Sequence, residues 1–187
     1  MTRANIDWAI GLLNDGNTIG NIDTNLLGEG SETDSKMIAI TDGPSRMGIN
    51  NCVTNRGKHT VGNILQRGVL LGQSQLVFNG IGDIIHGASG AKAEQENRLL
   101  MMSDEARANA NPILLIDEND VLAGHAASVG QVDQQQLYYL MSRGIDRKQA
   151  QRLVIRGFLG VVLSAIPVKT VRQQLVTTIE RKLTDEN

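Results

Sequence analysis

Three histidines, one cysteine and a short acidic run carry most of the chemistry this sequence could perform. A neutral imidazole is the commonest metal ligand among side chains. His59 stands beside Arg56 and Lys58 in an expected turn. His86 lies in Asp83-Ile84-Ile85-His86-Gly87, where it is expected to alternate with Ile85 on a strand. His125 sits between Gly124 and Ala126, whose small side chains leave its imidazole accessible. Spacing alone makes none of the three a ligand. The single Cys52 excludes an internal disulfide and any cysteine-only zinc or iron–sulfur site within one chain. In Asn50-Asn51-Cys52-Val53 it reads as a strand or strand-end thiol packed as a small hydrophobe. Asp117, Glu118 and Asp120 read as a solvated turn. The glycines of 87–92 lack the spacing of a phosphate-binding loop before Lys92, and Gly80-Ile81-Gly82 lacks the third glycine of a dinucleotide fingerprint. No nucleophile elbow and no zinc-protease helix motif is present.

Composition narrows the class further. The chain has 187 residues, with 18 basic against 20 acidic side chains and a formal charge of −2, so no basic face for nucleic acid is implied. No run approaches the roughly 18 apolar residues of a membrane span. The first 17 residues lack the basic-then-apolar order of a signal peptide. One thiol suits a reducing compartment, and a cytoplasmic location is expected. Twenty glycines stand against only five aromatic residues. Aliphatic side chains with Gly and Asn at the corners favour a stacked-strand solenoid over a layered α/β domain.

Two periods divide the chain. Up to about Gly130, short apolar or alternating runs occupy residues 8–13, 18–27, 36–40, 47–53, 60–65, 68–71 and 75–78. Turn chemistry separates them at Asn14-Asp15-Gly16, Asp42-Gly43-Pro44, Asn55-Arg56-Gly57 and Asn79-Gly80. These runs predict a β-helix over residues 1–132, each strand adding a layer of Val, Ile and Leu, without a hexapeptide repeat. Residues 133–187 predict a helical domain. Asp133 caps a helix that Gly144 stops, and Asp146 caps a second helix that Pro167 ends. The second helix carries an apolar stripe of Ala150, Leu153, Val154, Gly157, Phe158, Val161, Val162 and Ala165. A third carries Val168, Val171, Leu175, Ile179 and Leu183 on one face. These helices must pack on the solenoid or on a partner, and covering the solenoid end is one expected role.

Residue order adds what composition cannot. Residues 94–106 (EQENRLLMMSDEA), Pro112 with the strand 113–116, Asn119-Asp120-Val121, His125-Ala126-Ala127-Ser128-Val129-Gly130 and 136–145 (QLYYLMSRGI) follow one another in the order of a known C-terminal signature. From about Glu94 to Phe158 the chain resembles the SufB/SufD family of iron–sulfur cluster assembly scaffolds. The resemblance implies a right-handed parallel β-helix followed by a small helical domain, mainly β overall. It implies a non-catalytic scaffold that pairs through its β-helix with a SufB-like subunit or with itself. It implies docking of a SufC-like ABC ATPase, in which the ATP hydrolysis resides, through the C-terminal helices. On that surface Leu137, Tyr138, Tyr139, Arg143, Gly144 and Phe158 are the candidate contacts.

The resemblance also maps a family histidine onto His125, as an iron or cluster ligand at a subunit interface. The iron–sulfur cluster is expected to be transient and shared between subunits, with none held by one chain alone. Ala123 stands where SufD-type members often carry cysteine, and Ala126 where SufB-type members carry glutamate, so the chain is more SufD-like. It is far shorter than ordinary members. A remnant that keeps fold and partners without handling iron is the alternative. A β-helix carbohydrate-active enzyme or acyltransferase is a further one, and would need an Asp, Lys and Arg cluster or a strict hexapeptide repeat.

Overall fold

The computed structural model describes residues 2–184. Nine strands come first: β1 (Asn5–Leu12), β2 (Thr18–Leu26), β3 (Glu32–Thr41), β4 (Arg46–Asn55), β5 (Val61–Leu70), β6 (Gln75–Ile84), β7 (Lys92–Met101), β8 (Arg107–Ile116) and β9 (Leu122–Gln131). Three helices follow: α1 (Gln134–Ser142), α2 (Arg147–Ser164) and α3 (Lys169–Thr184). The last three residues of the expected helical domain lie outside the described residues.

Odd-numbered strands form one sheet in the order β1-β3-β5-β7-β9, and even-numbered strands form a second, β2-β4-β6-β8. Every pairing is parallel. The chain is therefore a parallel β-solenoid with two strands per coil. Pairings such as Asn5 with Glu32, Glu32 with Val61 and Gln75 with Arg107 set coils of 27 to 32 residues. The repeat lies in the register of whole coils, not in a short sequence period. The corners recur with it, as the amides of Ser45, Ser74 and Ala106 donate to the carbonyls of Asp42, Leu71 and Ser103.

Residues 60–65 and 68–71, read as two runs, are one strand. The polar pair between them is absorbed by tertiary contacts. Gln66 points into the interior and is fully buried, while Arg67 points outward and is covered by α2. Gly68 makes room for Leu76, Leu99 and Phe78 from neighbouring strands, against which a Cβ would press. His86 is likewise not on a strand, because β6 ends at Ile84 and the chain turns there.

The interior column is aliphatic only in part. Met37, Ile49, Leu70, Leu76, Phe78 and Leu99 pack between the sheets, each worth about 1.5–3 kcal/mol of burial. Beside them lies an amide layer of Asn51, Gln66, Gln95 and Asn97, all nearly inaccessible. Gly80 creates its space, since a Cβ there would stand 2.9 Å from Gln95 Oε1 and Asn97 Nδ2. Outside the even sheet, Asn111, Asn79 and Asn50 each donate from Nδ2 to the asparagine one coil back, ending at Asn21, over 2.7–2.9 Å. This asparagine ladder reinforces the parallel register.

The helices do not cap the solenoid's last coil. They fold back along the outer face of the odd sheet, where Ile155, Leu159, Val162, Leu163, Ile179 and Leu183 bury Ile38, Ile40, Val69 and Leu71. The buried face of α2 is thus rotated from the expected stripe, and Leu153 and Val161 are about half exposed. The caps are as expected: Asp133 accepts from the amides of Gln135 and Gln136, and Asp146 from that of Gln149. Gly144 ends α1 at φ +86°. Lys182 ties α3 to the first corner by donating to Asn14 O at 3.0 Å and Asp15 Oδ1 at 2.9 Å.

Close stacking at the corners yields a stability test. A Cβ on Gly57 would lie 2.6 Å from Gly28 O and 2.7 Å from its carbonyl carbon, and backbone cannot yield as a side chain can. Gly48, in β4, has nothing within 4 Å of the same position. Thermal or urea unfolding of Gly57→Ala is expected to show a loss of about 1–3 kcal/mol, with Gly48→Ala within about 0.5 kcal/mol of the parent chain.

Candidate functional site

A parallel solenoid buries each coil by laying the next upon it. β9 has β7 on one side and no strand on the other, and all ten of its residues are exposed. The register continues the inward columns of the odd sheet, so Gln95 pairs with His125 and Asn97 with Ala127. Strand alternation then places Ala123, His125, Ala127 and Val129 in the interior series. His125 is the only one of them with a titratable side chain. It stands one coil above Gln95, whose Nε2 donates across the interior to Ile113 O at 2.8 Å. The outward series of β9 is Gly124, Ala126, Ser128 and Gly130.

Those small residues open the rim of a groove of about 480 Å³, whose walls include Asp34, Lys36, Leu65, Glu94, Glu96 and the backbone around His125. Burial pushes the Asp34 carboxyl up, but hydrogen bonds from Lys36 and Asn63 outweigh it and hold the group below the usual carboxylate range. Glu96 pairs with Arg98 at 3.1 Å and with the buried Arg67. The guanidinium of Arg67 lies 5.3 Å from the ring centre of Phe158 in α2. Burial pulls the Arg67 pKa down, and Glu96 opposes the shift. The rim beside His125 is therefore connected through Glu96 and Arg67 to the helices.

The helical residues divide by burial. Leu137 is 1% exposed and anchors α1 against Val132 and Ala150. Tyr138 and Tyr139 are 74% and 58% exposed. Arg143 lies over the Tyr139 ring at 5.3 Å. Gly144 forms the turn into α2, and Phe158 is half-buried. Phe158 also borders an apolar groove of about 630 Å³ with Leu100, Leu140, Leu153, Val154 and Gly157. The outward part of the α2 stripe therefore lines a groove instead of filling the core.

The other candidates lie at corners or on the other sheet. His59 is at a corner with φ +55°. His86 is in the corner where Glu118 accepts from the amides of Gly87 and Asn119, which lowers the Glu118 pKa. Among the described residues, no three His, Cys, Asp or Glu side chains gather as a metal-binding set. Cys52 is half-buried on the outer face of β4, and burial pushes its thiol pKa up. Sequence reasoning missed Arg67 and Glu96. Their only local signal is a pair of charges inside strands, and it gains meaning once β5 and β7 are neighbours.

Two outcomes follow from these contacts. A double-mutant cycle of Arg67→Met and Phe158→Ala, read by urea unfolding, is expected to return a coupling of about 0.5–2 kcal/mol. With its pKa raised, Cys52 holds less thiolate at neutral pH than a free cysteine. Its alkylation is therefore expected to be slower in the folded chain than in the urea-unfolded chain, and equal rates would contradict the burial.

Comparison with known proteins gives the family. The family profile described as "SUF system FeS cluster assembly, SufBD core domain" matches residues 1–158. The iron–sulfur cluster assembly protein SufD of Bacillus subtilis is 53% identical over 178 residues, covering 95% of this chain and 41% of that protein. An iron–sulfur cluster assembly SufBD family protein of Mycobacterium leprae is 43% identical over 107 residues, covering 56% of this chain and 27% of its own length. The chain thus spans less than half the length of these curated relatives. With a parallel solenoid, three trailing helices and a matched profile over most of its length, the chain belongs to the SufBD core family of the SUF iron–sulfur cluster assembly system.

Proposed function

We propose that this chain is a non-catalytic scaffold subunit of iron–sulfur cluster assembly that pairs with a second subunit through its open last coil. The observation that carries the reading is β9, fully exposed and hydrogen-bonded to a strand on one side only. An unpaired strand edge is a template for another strand. A SufB-like subunit, or a second copy of this chain, supplies it. His125 then lies at the seam and offers a neutral imidazole to iron, a borderline ligand suited to that metal. The cluster is cargo. One imidazole cannot hold it, and Ala123 adds no thiolate, so the partner completes the ligand set.

The helices serve the second contact. Tyr138, Tyr139 and Arg143 form an exposed aromatic and cationic surface at α1, whose Gln136 and Leu140 line the apolar groove at Phe158. Aromatic residues and arginine dominate protein-interface energetics. A SufC-like ABC ATPase docks there, with Leu137 and Gly144 holding α1 at the correct angle, and ATP hydrolysis belongs to that partner. No described helix is long and apolar enough to cross a membrane, and the reading places the assembly in the cytoplasm. Ala123 also favours a second reading, in which the chain pairs and docks without ligating iron.

Anaerobic iron–sulfur reconstitution with SufB- and SufC-like partners separates the two. His125→Ala is expected to lose most of the cluster absorbance while still co-purifying with both partners. Equal absorbance in the two versions would leave only the pairing role. Joint Tyr138→Ala and Tyr139→Ala substitution is expected to weaken ATPase capture by about tenfold or more. Unchanged capture would remove the helices from the docking surface.

A further inference from the structure

The amides at the two ends of β9 fix where every backbone group of that strand points. Leu122 N–H donates to Ala91 O and Val132 N–H to Met101 O, at 3.0 Å each. In a parallel ladder the N–H and C=O of one residue face the same neighbouring strand, and those of the next residue face the other side. Gly124, Ala126, Ser128 and Gly130 therefore turn their backbone groups to β7. Ala123, His125, Ala127 and Val129 turn theirs to the open edge. These four are also the residues that the register places in the interior column. The side chains that enter the seam and the backbone groups that face a second subunit thus belong to the same residues, His125 among them.

The second edge of the last coil is less complete. Arg107 N–H donates to Ser74 O at 3.0 Å and Asp117 N–H to Ile84 O at 2.9 Å. In β8 the edge-facing residues are therefore Ala108, Ala110, Pro112, Leu114 and Ile116. Proline has no N–H, and an edge strand tolerates it where the missing donor faces away from the ladder. The donor series of β8 is broken at Pro112, whereas that of β9 is continuous. Within the chain, β9 is hydrogen-bonded to β7 alone, and its side chains are mostly Gly, Ala or Ser, so little packing restrains it.

Ligand chemistry selects the occupant. Cys52, the one cysteine of the sequence, lies on β4, and Ala123 adds no thiolate to the last coil. A second copy would bring one more imidazole to the seam and no thiolate, so a subunit of different sequence is needed to complete a cluster. Resting on the pairing proposed above, we infer that a strand of a SufB-like subunit hydrogen-bonds along β9 to the main chain of His125 itself. Closing the last coil and fixing the imidazole in the seam are then one event, and iron meets a positioned His125 only in the paired state.

Residue-resolved amide exchange of the full chain, alone and with a SufB-like subunit, tests this without iron. In the free chain Gly124, Ala126 and Ser128 are expected to exchange slowly, because β7 accepts their protons, and Ala123, His125, Ala127 and Val129 rapidly. The complex is expected to slow the second set by about tenfold or more and to leave the first nearly unchanged. The ring C–H order parameter of His125 is expected to rise in the same complex, and an unchanged value would overturn its positioning by the partner. Ala127→Pro removes one edge-facing donor and no bond to β7, as Pro112 does in β8. Its melting temperature is expected to stay near that of the parent, while affinity for the SufB-like subunit falls about tenfold or more. Ala126→Pro, which breaks a bond to β7, is expected to lower the melting temperature. A complex in which His125 and Ala127 still exchange at their free rates would overturn the inference while leaving pairing by other surfaces intact, even if Ala127→Pro failed to fold. Failure to form any complex would remove the pairing and this inference with it. Protection of the same amides in the chain alone, rising with its concentration, would overturn the SufB-like assignment in favour of a second copy.

Discussion

Parallel coil-on-coil stacking is the constraint from which the other features follow. Each inward side chain is buried by the residue about 30 positions further on, and the strand backbones find their hydrogen-bond partners in the neighbouring coils. Strand pairing of this kind is continuous everywhere except at the ends of the solenoid. β9 is the last strand of the odd sheet, and the edge that would receive another coil remains open. The candidate interface is thus the place where the folding rule stops, and His125 occupies the interior column at that place.

The helices are attached to the side of the solenoid, not to its end. Their anchor is a continuous apolar seam with Ile38, Ile40, Val69 and Leu71. Lys182 adds a polar tie to the first corner, while Arg156 and Glu180, 3.2 Å apart, hold α2 and α3 to each other. This arrangement leaves the β9 edge free together with the outer face of α1 and the groove beside Phe158. Arg67 stands between them, with its charge held by Glu96 and its guanidinium near the Phe158 ring. A buried arginine is tolerated here because carboxylate and aromatic ring together replace much of the water it gives up.

The amide layer inside the solenoid shows how stacking tolerates polar residues. Gly80 removes one side chain, and the longer amides of Gln95 and Asn97 occupy that space. An all-aliphatic column was the simpler expectation from the composition. It missed this layer because a buried glutamine and an exposed one look the same along a strand until the opposite sheet is known. His86 shows the reverse error, since local alternation continues through residues 83–87 although the coil turns after Ile84.

What the sequence alone determined lies within a few residues or within an ordered motif. Asp133, Asp146 and Gly144 specify helix ends because a cap is a hydrogen bond over two or three residues, or one glycine conformation. The ordered signature from Glu94 to Phe158 is enough to indicate the family, and it names His125 only as a candidate. Tertiary structure alone decided which face of α2 is buried, that residues 61–70 form one strand, and that Leu137 is core while Tyr138 is surface. Each of these depends on contacts between residues tens of positions apart. A helix with two apolar faces, or a strand with a polar centre, does not encode locally which neighbour will cover it.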